Sequence, residues 1–273
     1  MPLASRLLRL CISLIVAAAD AILRPLRGSQ APGTCVVINY HSIPDEARGR
    51  FAEQLELVRR LARPISATRA ANLEPGARYV AITADDLFCS FLRNGLPELS
   101  RRGLPVTLFV PTGYLGRHSS WDDYGGENLV GEEVASADDL ERIAKIDTVE
   151  FGSHGVNHPD LAKMPEVEAM RELQESKAAL ETMTGKAVTG LSFPYGSYGA
   201  RELRLASEAG YQFCFDSTPG TVFSEMRGGL IGRVTVQPTD WKLEFRLKIS
   251  GAYRWVRWAS ACKRRLRPRA ARH

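Results

Sequence analysis

The chain has 273 residues, of which 44% are apolar and 25% charged, a composition typical of a soluble globular protein and a length that suits one α/β barrel with a large core. Its five cysteines are scattered and form no Cys-x-x-Cys pair, which argues against a disulfide framework, excludes a zinc site made of thiolates alone and favours a reducing compartment. The formal net charge is +5, but six basic residues and no acidic one lie in the segment 263–273 (KRRLRPRAARH), so the nearly neutral body predicts no nucleic-acid partner.

The first predicted element, at residues 1–27, is an amphipathic helix. Its polar residues are spaced by three, four or seven positions and therefore fall on one helical stripe; they are Arg6, Arg9, Ser13, Asp20, Arg24 and Arg27. The apolar stretch between Arg9 and Arg24 is too short to cross a bilayer. The pattern favours a helix that lies on a membrane surface. The alternative is a cleaved signal peptide with a small-x-small site at residues 19–21.

Seven β-rich runs alternate with helical patterns in the next segment, residues 28–240, which opens with a linker at 28–33. The predicted strands are 34–40, 78–83, 105–111, 148–152, 188–193, 211–215 and 229–236, and the predicted helices are 50–61, 91–102, 137–146, 167–183 and 201–209. Strands that alternate with helices predict a parallel sheet, either a barrel or a doubly wound sheet.

The last segment, residues 241–273, interleaves aromatic and basic side chains. Tyr253, Trp255 and Trp258 alternate with Arg254 and Arg257 ahead of the basic tail. Interfacial aromatics followed by cations suit an anionic leaflet, where each cation near the surface contributes about 1 kcal/mol. The alternative is that the aromatics cover the barrel and the tail is solvated. Both ends together predict a peripheral membrane protein, with the cytoplasmic face favoured over export through a signal peptide.

Reactive residues follow the carboxyl ends of the predicted strands. His41 follows the first strand, Asp85 and Asp86 the second, and His154 the fourth, while the turn 194–196 (PYG) follows the fifth. In a parallel barrel these ends share one face, so residues distant in sequence are expected to converge in one pocket. Two adjacent carboxylates beside an apolar strand are costly unless something compensates their charge, and a metal ion would do so.

His154 and His158 are candidates for the remaining metal ligands. One Asp with two His suits Zn²⁺ or another divalent first-row ion and leaves positions open for water and substrate. Pro159 disfavours a helical backbone at His158, which predicts a loop pair rather than the helical HExxH arrangement. The spacing alone fits capping or core histidines equally well. The Asp pair at a neighbouring strand end favours the metal interpretation.

Three motifs, in order, resemble those of the polysaccharide deacetylases, carbohydrate esterase family 4. The family's Thr-Phe-Asp-Asp-Gly appears as 83–87 (TADDL), its Ser-His-[Ser/Thr]-x-x-His-Pro as 153–159 (SHGVNHP), and its aromatic-Pro-Tyr-Gly turn as 193–196 (FPYG). The stretch 39–42 (NYHS) is similar to the Tyr-His element that opens one branch of the family. The resemblance extends from about residue 35 to about residue 236 and so covers most of the chain.

The resemblance implies an incomplete (β/α) barrel of roughly seven parallel strands. It also implies a metal-dependent hydrolase that removes an N-acetyl group from a sugar in a polysaccharide or a lipid-linked glycan precursor. Asp86, His154 and His158 would hold one divalent ion, with Zn²⁺ expected, and Asp85 would be the general base. The backbone N–H of Tyr195, in the turn formed with Pro194 and Gly196, would stabilise the oxyanion. The late Leu-x-His motif of many members is missing, so His41 is the candidate acid; the alternative is a histidine packed at a turn.

The sequence departs from the family pattern at three positions. Ala84 replaces Phe, Leu87 replaces Gly, and Gly155 replaces a hydroxyl residue. A Gly at position 87 would permit a positive φ or close backbone approach, and Leu tolerates neither well. We therefore expect a rearranged loop or an altered site. Two further hypotheses stay open: a catalytically silent glycan-binding barrel at the membrane, and a hydrolase of a non-sugar amide.

Three other residues are candidates for the pocket. Trp121 either stacks on a sugar or anchors its loop. Asp216 either forms hydrogen bonds in the pocket or caps the turn before Pro219. Arg233 either pairs with a pocket carboxylate, as the resemblance implies, or is a surface charge at a strand end.

Overall fold

The computed structural model describes residues 3–28, 31–121 and 129–266. Its strands, in chain order, are β1 (Thr34–Tyr40), β2 (Arg63–Ile65), β3 (Ala71–Asn72), β4 (Arg78–Ala84), β5 (Val106–Val110), β6 (Val149–Ser153), β7 (Gly190–Ser192), β8 (Phe213–Asp216), β9 (Val222–Phe223), β10 (Glu225–Met226) and β11 (Gly229–Thr235). The seven predicted strands all form; β2, β3, β9 and β10 are short additions.

Seven of these strands close into a parallel barrel in the order β1-β4-β5-β6-β7-β8-β11. The ring is completed at β1, where Val37 lies opposite Ala81 of β4 on one side and Arg233 of β11 on the other. The predicted fold class is confirmed. The barrel that was predicted as incomplete has seven strands, and the ring of their pairings is continuous.

Helices surround the barrel. They are α1 (Leu3–Arg27), α2 (Arg48–Leu61), α3 (Leu96–Arg101), α4 (Ala137–Ala144), α5 (Glu166–Thr184), α6 (Ala200–Glu208), α7 (Lys242–Ile249) and α8 (Trp255–Leu266). The helix predicted at 91–102 is a π-helical turn, Phe91–Gly95, that continues into α3. Helices α7 and α8 were not predicted. No helix within the described ranges is long and apolar enough to span a bilayer.

The core has two layers because the barrel strands are buried on both faces. Alternate residues of β1 divide between them: Val36 and Ile38 pack against the surrounding helices, whereas Cys35 and Val37 belong to a cluster with Phe109 and Phe215. Nearer the carboxyl ends of the strands the inner positions become polar; they include Asn39, Thr83, Ser192 and Arg233, all buried. The functional site is built on this polar layer.

The N-terminal helix lies against the C-terminal part of the chain. Its partly buried Leu10, Val16 and Ala17 pack on a small cluster formed by Leu247, Ala252 and Tyr253. The predicted linker 28–33 is described except for residues 29–30, and most of the basic tail, residues 267–273, also lies outside the described part of the chain. The predicted segment boundaries stay predictions.

Candidate active site

The paired carboxylates lie in a turn with two left-handed residues. Strand β4 ends at Ala84, and the Asp85 N–H donates a hydrogen bond to the Tyr40 carbonyl (3.0 Å). Asp86 and Leu87 follow with φ of 70° and 52°. Leu87 thus adopts the positive φ that a Gly would take easily, and its side chain is buried in the outer core layer. Burial offsets a conformational cost of roughly 1–2 kcal/mol.

Asp86, His154 and His158 form a compact buried cluster. The Asp86 Oδ1 lies 3.7 Å from His154 Nε2 and 3.5 Å from His158 Nε2, and one candidate ligand atom from each residue lies within 4.8 Å of the others. Ligands about 2.0–2.1 Å from a tetrahedral zinc ion are roughly 3.3–3.4 Å apart. The two Asp–His separations are therefore close to what a shared ion requires.

A backbone hydrogen bond orients His154. Its Nδ1 lies 2.8 Å from the Ser192 carbonyl oxygen. Because a carbonyl only accepts, Nδ1 carries the proton and the Nε2 lone pair is left toward Asp86. This is the usual arrangement around a metal-bound histidine, whose second nitrogen donates to a backbone carbonyl or a carboxylate.

His158 is held in a left-handed conformation (φ 51°) between aromatic rings. It stacks on Trp121 with ring centroids 4.1 Å apart and meets the edge of Tyr195 at 4.8 Å. Burial, followed by the neighbouring His154, lowers the pKa of His158 from 6.5 to about 2. The imidazole is therefore neutral at physiological pH, as a metal ligand must be.

Glu172 of α5 fixes the loop between the two histidines. Its Oε2 accepts hydrogen bonds from the backbone N–H groups of Val156 (2.7 Å) and Asn157 (3.0 Å), and its Oε1 accepts one from Asn157 Nδ2 (2.6 Å). Gly155 has a φ of 77°, a conformation that a glycine adopts without strain. Sequence reasoning missed Glu172, which is one of many acidic residues on a helix and carries no local signal.

Two buried polar atoms of the cluster have no hydrogen-bond partner among the described residues: Asp86 Oδ1 and His158 Nδ1. Burial raises the pKa of Asp86, although His154 and His41 act in the opposite direction. An ionised carboxylate in this position is costly without a compensating charge. A divalent cation would supply that charge, so the residues present fit a metal site.

Asp85 has different surroundings from its neighbour. Arg233, only 1% exposed, donates from Nη1 to Asp85 Oδ1 and from Nη2 to Asp85 Oδ2, both at 2.7 Å. Asn39 Nδ2 (3.1 Å) and Ser192 Oγ (3.2 Å) also donate to Oδ2. Burial alone would raise the pKa of Asp85, but Arg233, and after it His154, hold this pKa well below its usual range. Asp85 is therefore ionised at neutral pH.

The metal cluster and Asp85 line one cavity at the carboxyl ends of the strands. Its lining residues are His41, Asp85, Asp86, Trp121, Leu129, His154, His158, Phe193, Tyr195, Ser217 and Thr235. Pro194 lies in the same short turn as Tyr195 and Gly196, whose φ angles are 58° and 62°. The structure thus brings His41, Trp121 and Tyr195 to the predicted metal cluster, while their predicted roles stay predictions.

The other two pocket candidates are located differently. Arg233 contacts Asp85 from inside the barrel, with its guanidinium 5.2 Å from the Phe109 ring centroid. Asp216 is not among the residues that line the cavity. It accepts a hydrogen bond from the Thr218 N–H (2.9 Å), which corresponds to the turn-capping interpretation, and it forms an ion pair with Arg257 of α8 (2.7 Å).

A barrel with carboxylates and imidazoles gathered at the carboxyl ends of its strands is typical of hydrolases that use a metal ion. The family model for polysaccharide deacetylases matches residues 72–214, about half of the chain. The chain belongs to the polysaccharide deacetylase family. The family predicted from the sequence is confirmed, and it is a family of deacetylases, the predicted class of enzyme.

Known proteins of similar sequence include bacterial deacetylases. YxkH of Bacillus subtilis is 22% identical over 165 residues, which cover 60% of this chain and 54% of that protein. The poly-β-1,6-N-acetyl-D-glucosamine N-deacetylase of Staphylococcus aureus is 24% identical over 167 residues, 58% of this chain and 54% of that protein. The chain thus spans about half the length of these curated relatives.

Solved structures share the fold. IcaB from Ammonifex degensii superposes with a TM-score of 0.64 at 22% identity, over 82% of this chain and 98% of that one. A polysaccharide deacetylase from Bacillus cereus superposes with a TM-score of 0.65 at 19% identity, over 80% of this chain and 69% of that one. At such identities the likeness establishes the barrel and nothing finer.

Proposed function

We propose that this protein is a metal-dependent N-deacetylase that releases acetate from an N-acetylated glycan. The observation that carries the proposal is the cavity in which three buried candidate ligands, Asp86, His154 and His158, lie next to the ionised carboxylate of Asp85. The names of the relatives support the substrate class: the Staphylococcus aureus protein is a deacetylase of poly-β-1,6-N-acetyl-D-glucosamine. A polysaccharide and a lipid-linked precursor both fit this class.

The ligand set supports one divalent cation, with Zn²⁺ as the expected ion. When bound, such an ion lowers the pKa of water and polarises an acyl oxygen. Asp86 would hold the ion as a carboxylate, and His154 would bind through Nε2 because its Nδ1 donates to the Ser192 carbonyl. His158 completes the set as a neutral imidazole.

Asp85 is the proposed general base. Its Oδ2 lies 3.9 Å from His154 Nε2, so it can accept the proton of a water molecule placed beside the metal ligands. The low pKa of Asp85 makes it a weak base but keeps it ionised. Arg233, Asn39 and Ser192 fix the orientation of this carboxylate in advance of the reaction, which limits the reorganisation needed in the transition state.

The remaining roles fall to residues on the cavity wall. The backbone N–H of Tyr195, placed by a turn of positive φ, is the proposed donor to the developing oxyanion. His41 lines the same cavity and is the proposed acid that protonates the amine leaving group. The Trp121 ring, stacked on His158, restricts that side of the pocket.

Acetate release from β-1,6-linked N-acetylglucosamine oligomers tests the proposal. We expect Asp85→Asn to lower kcat by at least about 100-fold and His154→Ala to abolish both activity and stoichiometric zinc in the purified protein. His118→Ala is the matched control, because His118 is exposed and outside the cavity. Unchanged turnover in Asp85→Asn, or full activity after complete removal of metal, would refute the mechanism.

A further inference from the structure

Three polar residues of the N-terminal helix, Arg6, Ser13 and Asp20, face the protein, whereas most of its large apolar residues face outward. A surface helix of a soluble protein normally does the opposite. Ser13 is fully buried and accepts a hydrogen bond from the indole N–H of Trp255 (3.0 Å). Arg6 donates to Glu244 of α7 (2.8 Å), and Asp20 forms a two-fold ion pair with Arg254 (2.6 and 2.7 Å).

The outward face of α1 is apolar along its whole length. The large exposed residues on it are Leu3, Leu7, Leu8, Leu14, Ile15, Ile22, Leu23 and Leu26, between 40% and 78% exposed. At about 1.5 Å per residue, the 25 residues of α1 extend for roughly 37 Å. A continuous exposed apolar strip of this size is unusual on a soluble monomer and marks an interaction surface.

We propose that α1 is a retained anchor whose outward face lies in the interface of an anionic lipid membrane. The contacts of Arg6, Ser13 and Asp20 with the C-terminal segment favour retention over cleavage, since removal of the helix would leave Glu244 and Arg254 without these partners. The proposal concerns binding and does not depend on the deacetylase chemistry.

Charge favours a lipid surface over a second copy of the chain as the occupant. Asp20 is the only acidic residue within α1, and it is neutralised by Arg254. Arg9 is exposed beside the apolar strip. Two such faces brought together would place cations near each other, whereas anionic head groups complement them. The 72% exposed Trp258 of α8 adds an aromatic side chain of the kind found at membrane interfaces.

The contacts of α1 with the rest of the protein also determine how the barrel would be oriented relative to a membrane surface. Near its start, Arg6 stacks on Trp241 (4.3 Å), which follows the carboxyl end of β11. Near its end, Asp20 and Leu23 share a groove with Thr34 and Arg78, the first residues of β1 and β4. The helix therefore runs along the barrel wall from the active-site end to the opposite end. With α1 flat on a membrane, the barrel axis lies parallel to the surface and the cavity opens along it, toward glycans tethered to lipid; this last step rests on the proposed function.

Sedimentation of the full chain with vesicles tests the anchor. We expect binding to vesicles of phosphatidylglycerol, weaker binding to phosphatidylcholine, and weakening by salt. Leu8→Glu and Ile15→Glu should each lower the partition coefficient at least about tenfold, while acetate release from a soluble oligomer stays unchanged. Val167→Glu, at a 74% exposed position of α5, is the control and should bind like the wild type.

Several outcomes would overturn the anchor. They are absence of binding to anionic vesicles, equal binding by the Ile15→Glu variant, or a mature chain that begins after residue 21 by mass spectrometry. A lipid-free dimer that Ile15→Glu converts to a monomer would identify a second copy as the occupant instead. Because sedimentation does not measure catalysis, the vesicle-binding result can be interpreted even if the protein proves not to be a deacetylase.

Discussion

Substitutions of Leu87 by Ala and by Gly would measure the backbone strain at the active-site turn. The residue has a φ of 52° and is 1% exposed. Leu87→Ala removes the packing and keeps a side chain in the left-handed region, which should lower the free energy of unfolding by about 2–5 kcal/mol. Leu87→Gly removes the packing and also relieves roughly 1–2 kcal/mol of strain, against the usual loss of about 0.5–1 kcal/mol for Gly relative to Ala.

We therefore expect the Gly variant to be more stable than the Ala variant by up to about 1.5 kcal/mol, the reverse of the ordinary order. Urea unfolding of both variants, with equal m-values, would measure the difference. Leu99 provides the control pair, because it is fully buried in the helix α3; there the Ala variant should be the more stable. If Gly is inferior to Ala at 87 by the same margin as at 99, the left-handed turn carries no strain and the reasoning is wrong.

Three more predictions concern the groups around the cation site. Arg233→Met should raise the pKa of Asp85, because the positive charge that lowers this pKa is gone. The base is then protonated at a higher pH, so the acid limb of the kcat/KM profile should move to higher pH. The free energy of unfolding should fall by about 3–5 kcal/mol, whereas Arg204→Met, at an exposed position, should change it by less than about 1 kcal/mol. An unmoved acid limb would count against Asp85 as the base. Glu172→Gln should weaken zinc affinity about 10- to 100-fold, because the loop between His154 and His158 would be held less firmly; calorimetric titration measures this affinity. An affinity equal to that of the wild type would show that the Glu172 carboxylate is not needed to position the two histidines. A chelator should lower the Tm of the wild type and leave that of His158→Ala unchanged, because a cation at 1,000 times its Kd stabilises the fold by about 4 kcal/mol; equal shifts in both would place the cation elsewhere.

The barrel and its cluster were predictable from the sequence for a topological reason. Each strand is a short apolar run, and each reactive residue follows such a run, so parallel pairing necessarily brings Asp86 and His154 to the same end. The residues that hold these side chains in place were not predictable in this way. Glu172 lies on a helix with several acidic residues, and its role depends on which loop the helix happens to face. Ser192 is a strand residue whose carbonyl and hydroxyl matter only once β7 is placed.

The N-terminal helix shows a related limit. Periodicity identified the stripe that contains Arg6, Ser13 and Asp20, because spacing along a helix is a local property. It could not say which side of the helix faces the protein. That choice depends on Glu244, Arg254 and Trp255, which are more than 230 residues away along the chain. The polar groups of these three residues form hydrogen bonds with the polar stripe, so the apolar side of the helix faces outward.

The positive φ of Asp86 explains how adjacent carboxylates serve different purposes. In a regular strand, neighbouring side chains point to opposite faces, so one of the two would be directed into the helical layer. The positive φ angles of Asp86 and Leu87 change the chain direction, so Asp85 contacts Arg233 inside the barrel while Asp86 faces the histidines. The side chain that points outward is that of Leu87, which packs in the outer core layer. A leucine at this position is therefore compatible with an intact ligand set. Its presence instead of glycine is by itself no reason to regard the barrel as catalytically silent.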